Sequence, residues 1–465
     1  MKQHHFLVIS LPAQGHINPT LQMAKNLARA GARATFVTTV YGLKRMNNLP
    51  TQERLFYSSF SDGYDDDWIS NTDHNDYMNN LKYEGSKNLK NLLRKFSDEG
   101  HPVTFLVYTI LLPWVAVVAR ELHVPSAFLV IQCGTAFAIY NHLFNSINGV
   151  YSSSVSDITV TPSFAIEFPE LPLFSSNDIP TIVLPNAPHS SVMIPIMREH
   201  IQNLEKDPNS CVLINSFDAL EEKSMRIVDK LRIFSVGPLV PSAFSDGNDP
   251  KDKSFGCELF ENREKNYRQW LDSKPEGSVI YVSFGSIAVL EKEQKEEILH
   301  GLLESERPFL WVMRKGKEEV EEGNNYKNEF DDILLNKKGI IIPWCAQMEV
   351  LFHKSVGCFV THCGWNSTLE SMVAGVPIVG CPQFSDQTTN AKMVEEVWGT
   401  GVRANAVEGV VGREELKRCL EILMGNGEKG EEIKRNVKKW RDLAVEAVKV
   451  GGSSYDNLKK FLEIL

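Results

Sequence analysis

Residues 344–387 read WCAQMEVLFHKSVGCFVTHCGWNSTLESMVAGVPIVGCPQFSDQ. SVGCFVT (355–361) is a short apolar run bounded by polar residues, which predicts a buried strand. His362-Cys363-Gly364-Trp365 then turns the chain. Asn366, Ser367 and Thr368 carry N-cap chemistry, and Leu369, Met372 and Val373 recur at helical spacing until Gly375 stops the helix. VPIVGCP (376–382) predicts a second strand, and the polar QFSDQ precedes a further helix. Strand, helix, strand, helix is the pattern of a parallel sheet covered by helices, so the fold class is α/β.

Ligands of such sheets bind beyond the carboxyl ends of the strands. His362, Gly364, Trp365, Asn366 and Ser367 lie at one such end, on a helix N-terminus whose amides and dipole suit phosphate. Glu370 shares a helix face with Asn366 and Ser367, where its carboxylate can accept from ribose hydroxyls. Asp386 and Gln387 come from the next strand end and mix acceptors and donors, as a polyhydroxylated sugar requires. Trp344 and Gln347 sit at another strand end, where a flat indole can stack on a base. Each residue alone has a plainer reading. Asn366 and Ser367 can be caps, Glu370 a solvated helix residue, His362 a satisfied turn histidine and Trp344 core. The joint spacing favours a nucleotide-sugar site.

Through its opening tryptophan, THCGWNSTLES, GVP and closing DQ, this block resembles the signature box of plant UDP-dependent glycosyltransferases of small-molecule metabolism, glycosyltransferase family 1. PAQGHINP (12–19) and the chain length agree, so the resemblance extends over essentially the whole chain. It implies two Rossmann-like, doubly wound parallel-sheet domains facing across a cleft, the GT-B architecture. It also implies that Trp344 stacks on uracil, Ala346 offers backbone contacts to it, and Gln347 and Glu370 bind ribose. Ser286, His362, Asn366 and Ser367 would hold the diphosphate, and Trp365, Asp386 and Gln387 the sugar. A closing Gln rather than His points to glucose over galactose. The implied reaction inverts the anomeric centre, gives a β-glucoside and needs no cofactor or metal. In keeping with that, the one Asp-x-Asp, Asp65-Asp66-Asp67, falls in an exposed loop of the first domain.

The rest of the chain frames this block. At 465 residues, 43% of them apolar, it is too long for one ordinary core. A net charge of −10 argues against a nucleic-acid partner. No apolar run is long enough to span a membrane. The N-terminal MKQHHFLVISLPAQGH has too short an apolar run for a signal peptide and is read as mature structure. The eight cysteines show no paired CxxC, so reduced thiols in the cytoplasm are expected, as is a monomer.

HFLVISL (5–11) and ATFVTT (34–39) predict strands around a helix that Asn18 and Pro19 begin as N-cap and N1 and Gly31 ends. The connecting loop has no GxGxxG, which disfavours a dinucleotide-binding oxidoreductase. Residues 60–80 read as irregular loop and 76–96 as a helix; strands follow at 103–108 and 124–131. The Ser- and Pro-rich stretch 145–195 carries scattered apolar residues that suit either an acceptor pocket or a plainly packed loop. Strands 211–216 and 233–238 close the first sheet. Residues 241–265 read as a linker between a first domain (1–240) and a second (266–450). SVIYVSFGS (278–286), PFLWVMR (308–314) and GIIIPW (339–344) open the second sheet, with an exposed acidic segment at 316–332. By resemblance, a last helix at about 451–465 packs back on the first domain.

Gly15 and His16 fall at the carboxyl end of the first strand. An imidazole there can act as general base, though position alone favours a solvated loop histidine. The resemblance assigns His16 the proton of the acceptor. It also exposes a departure, because the position at which the family commonly places an aspartate to orient that histidine holds Thr109. A hydroxyl can hydrogen-bond an imidazole but cannot stabilise its cation by charge. Loss of the comparable carboxylate from a serine protease costs about 10⁴ in turnover. The expected activity is therefore glucose transfer from UDP-glucose to an easily ionised acceptor on a small hydrophobic metabolite. A phenolic hydroxyl comes first, with a carboxylic acid or another UDP-sugar donor as alternatives. Another group or a water orienting His16, and a non-catalytic nucleotide-sugar binder, are the competing readings.

Overall fold

The computed structural model describes residues 4–66, 74–145, 165–184, 187–255, 266–313 and 338–464. The chain divides into two compact units, Met1–Leu259 with Glu446–Leu465, and Phe260–Val445.

In the first unit the strands are β1 (His5–Ile9), β2 (Arg33–Thr39), β3 (Leu55–Phe60), β4 (Phe105–Tyr108), β5 (Ser126–Val130), a small antiparallel pair β6 (Ala165–Ile166) and β7 (Phe174–Ser175), β8 (Cys211–Ile214) and β9 (Arg232–Ser235). Seven of them form one sheet in the order β3-β2-β1-β4-β5-β8-β9, with every pair parallel. Its helices are α1 (Gln14–Arg29), α2 (Val40–Arg45), α3 (His74–Asp98), α4 (Pro113–Glu121), α5 (Gly134–Phe144), α6 (Ser190–Lys206) and α7 (Asp218–Arg226). Phe6, Leu7, Val8 and Ile9 of β1 are all inaccessible. Such an unbroken apolar strand is what a sheet buried on both faces demands.

Three features of this unit depart from expectation. Helix α1 begins at Gln14, not after Asn18: the Ala13 carbonyl accepts from the His16 and Ile17 amides at 2.9 Å each. Pro19 is carried inside the helix, losing only the bond to the Gly15 carbonyl four residues back. Strand β3 lies within a stretch that has no strand pattern, because an edge strand exposes part of its length and LFYSSF is half polar. Helix α6 occupies the end of the 145–195 stretch; residues 146–164 and 185–186 lie outside the described residues.

The second unit contains α8 (Asn266–Asp272), β10 (Val279–Ser283), α9 (Lys292–Glu304), β11 (Phe309–Val312), β12 (Gly339–Ile342), α10 (Gln347–Leu351), β13 (Val356–Thr361), α11 (Trp365–Ala374), β14 (Ile378–Gly380), α12 (Gln387–Lys392), β15 (Gly401–Arg403), α13 (Arg413–Met424) and α14 (Glu428–Val448). Its six strands run β12-β11-β10-β13-β14-β15, again all parallel. Alternate residues of β10 serve opposite faces. Ile280 and Val282 join Trp311, Val360 and Leu420 in one core, while Val279 and Tyr281 join Leu310, Phe359 and Leu351 in the other. The acidic segment 316–332 lies outside the described residues.

The last helix, α15 (Ser453–Glu463), belongs to the first unit. Phe461 is fully buried there, its ring 5.2 Å from Phe105, 5.9 Å from Phe234 and 6.1 Å from Phe6. Asn457 donates to the Ser235 carbonyl at 3.1 Å, and Ser454 donates to the Gly237 carbonyl. Residues 242–255 are also pinned to this unit. The buried Lys25 of α1 donates to Asp252 at 2.8 Å, and Arg29 reaches the same carboxylate at 3.3 Å. Residues 256–265, the rest of the stretch read as a linker, lie outside the described residues. The fold class is the expected one, two Rossmann-like parallel-sheet units.

Candidate functional site

Each sheet reverses its strand order at one place, and ligands of open α/β sheets gather at such switch points. In the first sheet the switch separates β1 from β4, paired through Ile9 and Tyr108 at their carboxyl ends. In the second it separates β10 from β13, paired through Ser283 and Thr361. His16, Thr109, Ser286, His362 and the start of α11 follow these four ends, while Trp344, Ala346 and Gln347 follow β12 and Asp386 and Gln387 follow β14.

After β1, His16 is the third residue of α1; after β4, Thr109 is wholly buried. His16 Nδ1 and Thr109 Oγ1 are 3.3 Å apart. If Nδ1 carries the proton, Thr109 accepts it and Nε2 is left with a lone pair, the tautomer a general base needs. Burial pushes the His16 pKa down to about 4. Its place at a helix N-terminus disfavours the cation further. The imidazole is therefore neutral at pH 7, ready to take a proton but a weak base.

After β13, Cys363 takes a left-handed backbone (φ 60°) and Gly364 is the N-cap of α11. Asn366 and Ser367 are thus the second and third residues of the helix and not its caps. A glycine N-cap offers no side chain to the first amides, so α11 starts without a capping hydroxyl or carboxylate. The His362 ring fills the space over two glycines. A β-carbon on Gly364 would come within 2.5 Å of its Nε2, and one on Gly285 within 2.7 Å. His362 Nδ1 lies 3.2 Å from Thr361 Oγ1. Burial lowers its pKa to about 4, with a hydrogen bond to the Ser283 backbone opposing. His362 therefore locks the loop after β13 to the Gly285-Ser286 loop after β10. Ser286 itself is half-buried, next to the exposed Ile287.

Gln347, Ser367 and Glu370 are joined in one network. Gln347 Nε2 lies 3.1 Å from Ser367 Oγ and 2.8 Å from Glu370 Oε2, and Tyr281 donates to Gln347 Oε1 at 3.1 Å. Glu370 is only 3% exposed, so it is not a solvated helix residue. Burial raises its pKa to about 7, against the Gln347 hydrogen bond that lowers it. Trp344, three residues before Gln347 in the chain, is half-buried. The Ala346 amide donates to the Tyr267 hydroxyl at 3.4 Å and its carbonyl accepts from Val350 at 3.1 Å.

After β14, the buried Asp386 accepts from Asn390 at 2.8 Å, and the same amide group donates to the Cys363 carbonyl at 2.8 Å. Gln387 Oε1 accepts from the amides of Gln383 and Phe384 at 2.9 and 3.0 Å, which commits its oxygen and turns attention to its NH₂. The Trp365 indole is core: it is 3% exposed and packs against Trp398 with centroids 5.8 Å apart. What Trp365 can present at the helix start is backbone, not its ring.

Sequence reasoning missed Tyr281 and Tyr267. The signal was there for Tyr281, the one residue with a polar tip inside the apolar VIYV of β10. Asp66 is paired with Lys44 at 2.8 Å, and Asp67 lies outside the described residues. Among the described residues no helix is long and apolar enough to cross a membrane, and no group of three or more His, Cys, Asp or Glu side chains is arranged to hold a metal.

Residues 248–448 match the family model UDP-glucoronosyl and UDP-glucosyl transferase. The chain is 49% identical to phloretin 4'-O-glucosyltransferase of Malus domestica and 48% identical to the chloroplastic crocetin glucosyltransferase of Gardenia jasminoides, in each case over 100% of this chain and 98% of the relative. Among solved structures, Os79 from O. sativa in complex with UDP superimposes with a TM-score of 0.84 at 33% identity, covering 98% of this chain and 99% of that one. The chain belongs to the UDP-glucoronosyl and UDP-glucosyl transferase family, among the plant UDP-glycosyltransferases of small-molecule metabolism.

Proposed function

We propose that this enzyme transfers glucose from UDP-glucose, with inversion, to an acidic hydroxyl of a small hydrophobic plant metabolite, and that His16 takes the acceptor proton. The observation that carries the acceptor half is the 3.3 Å approach of the Thr109 hydroxyl to His16 Nδ1. Among the described residues no carboxylate pairs with His16 to hold up its basicity, and burial has already lowered its pKa to about 4. A phenol, with a pKa near 10, needs modest help, and a carboxylic acid, near 4 to 5, is already an anion. An aliphatic alcohol needs the most help and should be the poorest acceptor. The named substrates of the two relatives, a phenol and a carboxylate, are in keeping with this order.

On the donor side, the start of α11 and Ser286 receive the diphosphate, whose charge grows as UDP leaves. Asn366, Ser367 and His362 line the same place. Gln347 and Glu370 take the ribose, Trp344 and the Ala346 backbone the uracil. Asp386, the Gln387 amide and the Trp365 backbone take the glucose. No metal enters this scheme, so turnover should survive a chelator. The same proposal puts the enzyme in the cytoplasm, in keeping with seven buried free cysteines among the described residues. A fluorescent fusion found in chloroplasts, as the Gardenia relative's name records for that protein, overturns that part.

The test is a matched set of phenol, acid and alcohol acceptors with UDP-glucose, run on the wild type, His16→Ala and Thr109→Asp. His16→Ala should abolish transfer to alcohols and phenols. Thr109→Asp should speed alcohols at least about tenfold, within the ~10⁴ a comparable carboxylate supplies elsewhere, and leave acids nearly unchanged. Alcohols as best acceptors of the wild type, with no response to Thr109→Asp, refute it.

A further inference from the structure

We infer that His200, on α6, is a positioning residue that sets the Thr109 hydroxyl against His16 by gripping the chain on both sides of Thr109. This rests on the reading of His16 as the base. His200 is fully buried, and its one side-chain hydrogen bond among the described residues runs from Nε2 to the carbonyl of Ile110, the residue directly after Thr109. Its ring stacks on Tyr108, the residue directly before Thr109, with centroids 5.9 Å apart and planes 5° from parallel. It also stacks on Phe128 of β5 at 4.3 Å. The carbonyl can only accept, so Nε2 carries the proton and the ring is the neutral Nε2–H tautomer. Nδ1 is then an acceptor, and it is buried with no hydrogen-bond partner among the described residues.

A buried acceptor left without a partner is costly, and a merely structural site would favour an apolar ring. The donor is what a phenyl ring could not supply. One helical turn on, Asn203 donates to the Pro113 carbonyl at 3.1 Å, and between the two grips the Leu112 amide donates to the Thr109 carbonyl at 3.0 Å. The segment 109–113 is thus clamped from α6 at each end. The only path from α6 to the imidazole of His16 that these contacts describe runs through Thr109.

The geometry of a hydrogen bond to the base matters steeply, since misplacement by about 1 Å can cost 10²-fold in rate. His200→Phe keeps the stacked ring and deletes the donor. It should lower kcat for a phenol about 10- to 100-fold while leaving KM for UDP-glucose unchanged. His200→Gln, whose terminal amide can reach the Ile110 carbonyl, should restore most of the loss. In a Thr109→Ala background His200→Phe should have no further effect on kcat, because residues acting in series are not additive. If His200→Phe does not fold, His200→Asn, which also withdraws the donor from Ile110, is read in the same way. A folded donor-less variant with unchanged kcat, or effects of His200 and Thr109 that add, overturns the inference. His16→Ala separates the two levels. If that variant stays active the base assignment is wrong; if it is dead while His200→Phe is fully active, only the role of His200 is wrong.

Discussion

Binding of UDP should release a proton near pH 7, and Glu370 should be its source. Burial holds this carboxyl at about 7 in the free protein, so roughly half the molecules carry the proton at neutrality. Two ribose hydroxyls donating to it would favour the anion and return the group to the ordinary carboxylate range. Affinity then scales with the fraction already ionised, and should fall about tenfold from pH 8 to pH 6, or about 1.4 kcal/mol. The assay is titration calorimetry of UDP at pH 6, 7 and 8 in two buffers of different ionisation enthalpy. Glu370→Gln supplies the baseline, because the β-phosphate of UDP titrates equally with both proteins. The free protein offers a second readout. A carboxyl whose folded pKa of about 7 exceeds the unfolded value of 4.5 contributes stability that is full below pH 4.5 and is lost as pH rises through 7. Glu370→Gln should therefore melt above the wild type at pH 8, by at most about 3 kcal/mol of stability, and match it at pH 5. The reasoning is refuted if wild type and Glu370→Gln release the same number of protons on binding UDP, or if the variant binds UDP as tightly at pH 8.

Gly364→Ala would drive a methyl to within 2.5 Å of His362 Nε2 and displace the imidazole; UDP affinity should drop at least about tenfold by calorimetry, with a smaller loss of stability. Asp252→Ala leaves the Lys25 ammonium, 3% exposed, without its carboxylate. It should cost about 3–5 kcal/mol of the first unit's stability, read by denaturant unfolding followed on that unit's fluorescence. Phe461→Ala empties a space among three phenylalanines and should cost about 3–5 kcal/mol in the same experiment.

The parts legible in the sequence were those that burial makes redundant. A central parallel strand is apolar on both faces, so VIYV, GCFV and HFLVI announce themselves. Two of the four edges did not: LFYSSF of β3 and GVR of β15 are exposed on one side or very short, and nothing in them beats the loop pattern around them. Helix α1 was placed late because Pro19 reads as a start signal, although a helix can carry proline once only one early bond is forfeited. At the site, residue types and spacing identified Gln347, Ser367 and Glu370, and the structure joins them. They did not distinguish a side chain from a backbone role: Trp365 was placed at the sugar with neither specified, and its indole is spent in the core. Tyr281 and His200 were passed over for a different reason. Each sits on an apolar stripe, where one polar atom in a large ring passes for packing until its partner, 66 or 90 residues away, is located in space.

The first unit closes its core with Phe461, which follows the whole of the second unit in the chain. During synthesis, then, β1, β4 and β9 leave the ribosome with a phenylalanine-lined gap that stays open while residues 260–445 are made, roughly 10 to 40 s at about 5 to 20 residues per second. The half of the enzyme translated first is the half finished last. A premature stop before Ser453 removes the plug from the first unit, and leaves the second unit, already fully encoded, to fold by itself.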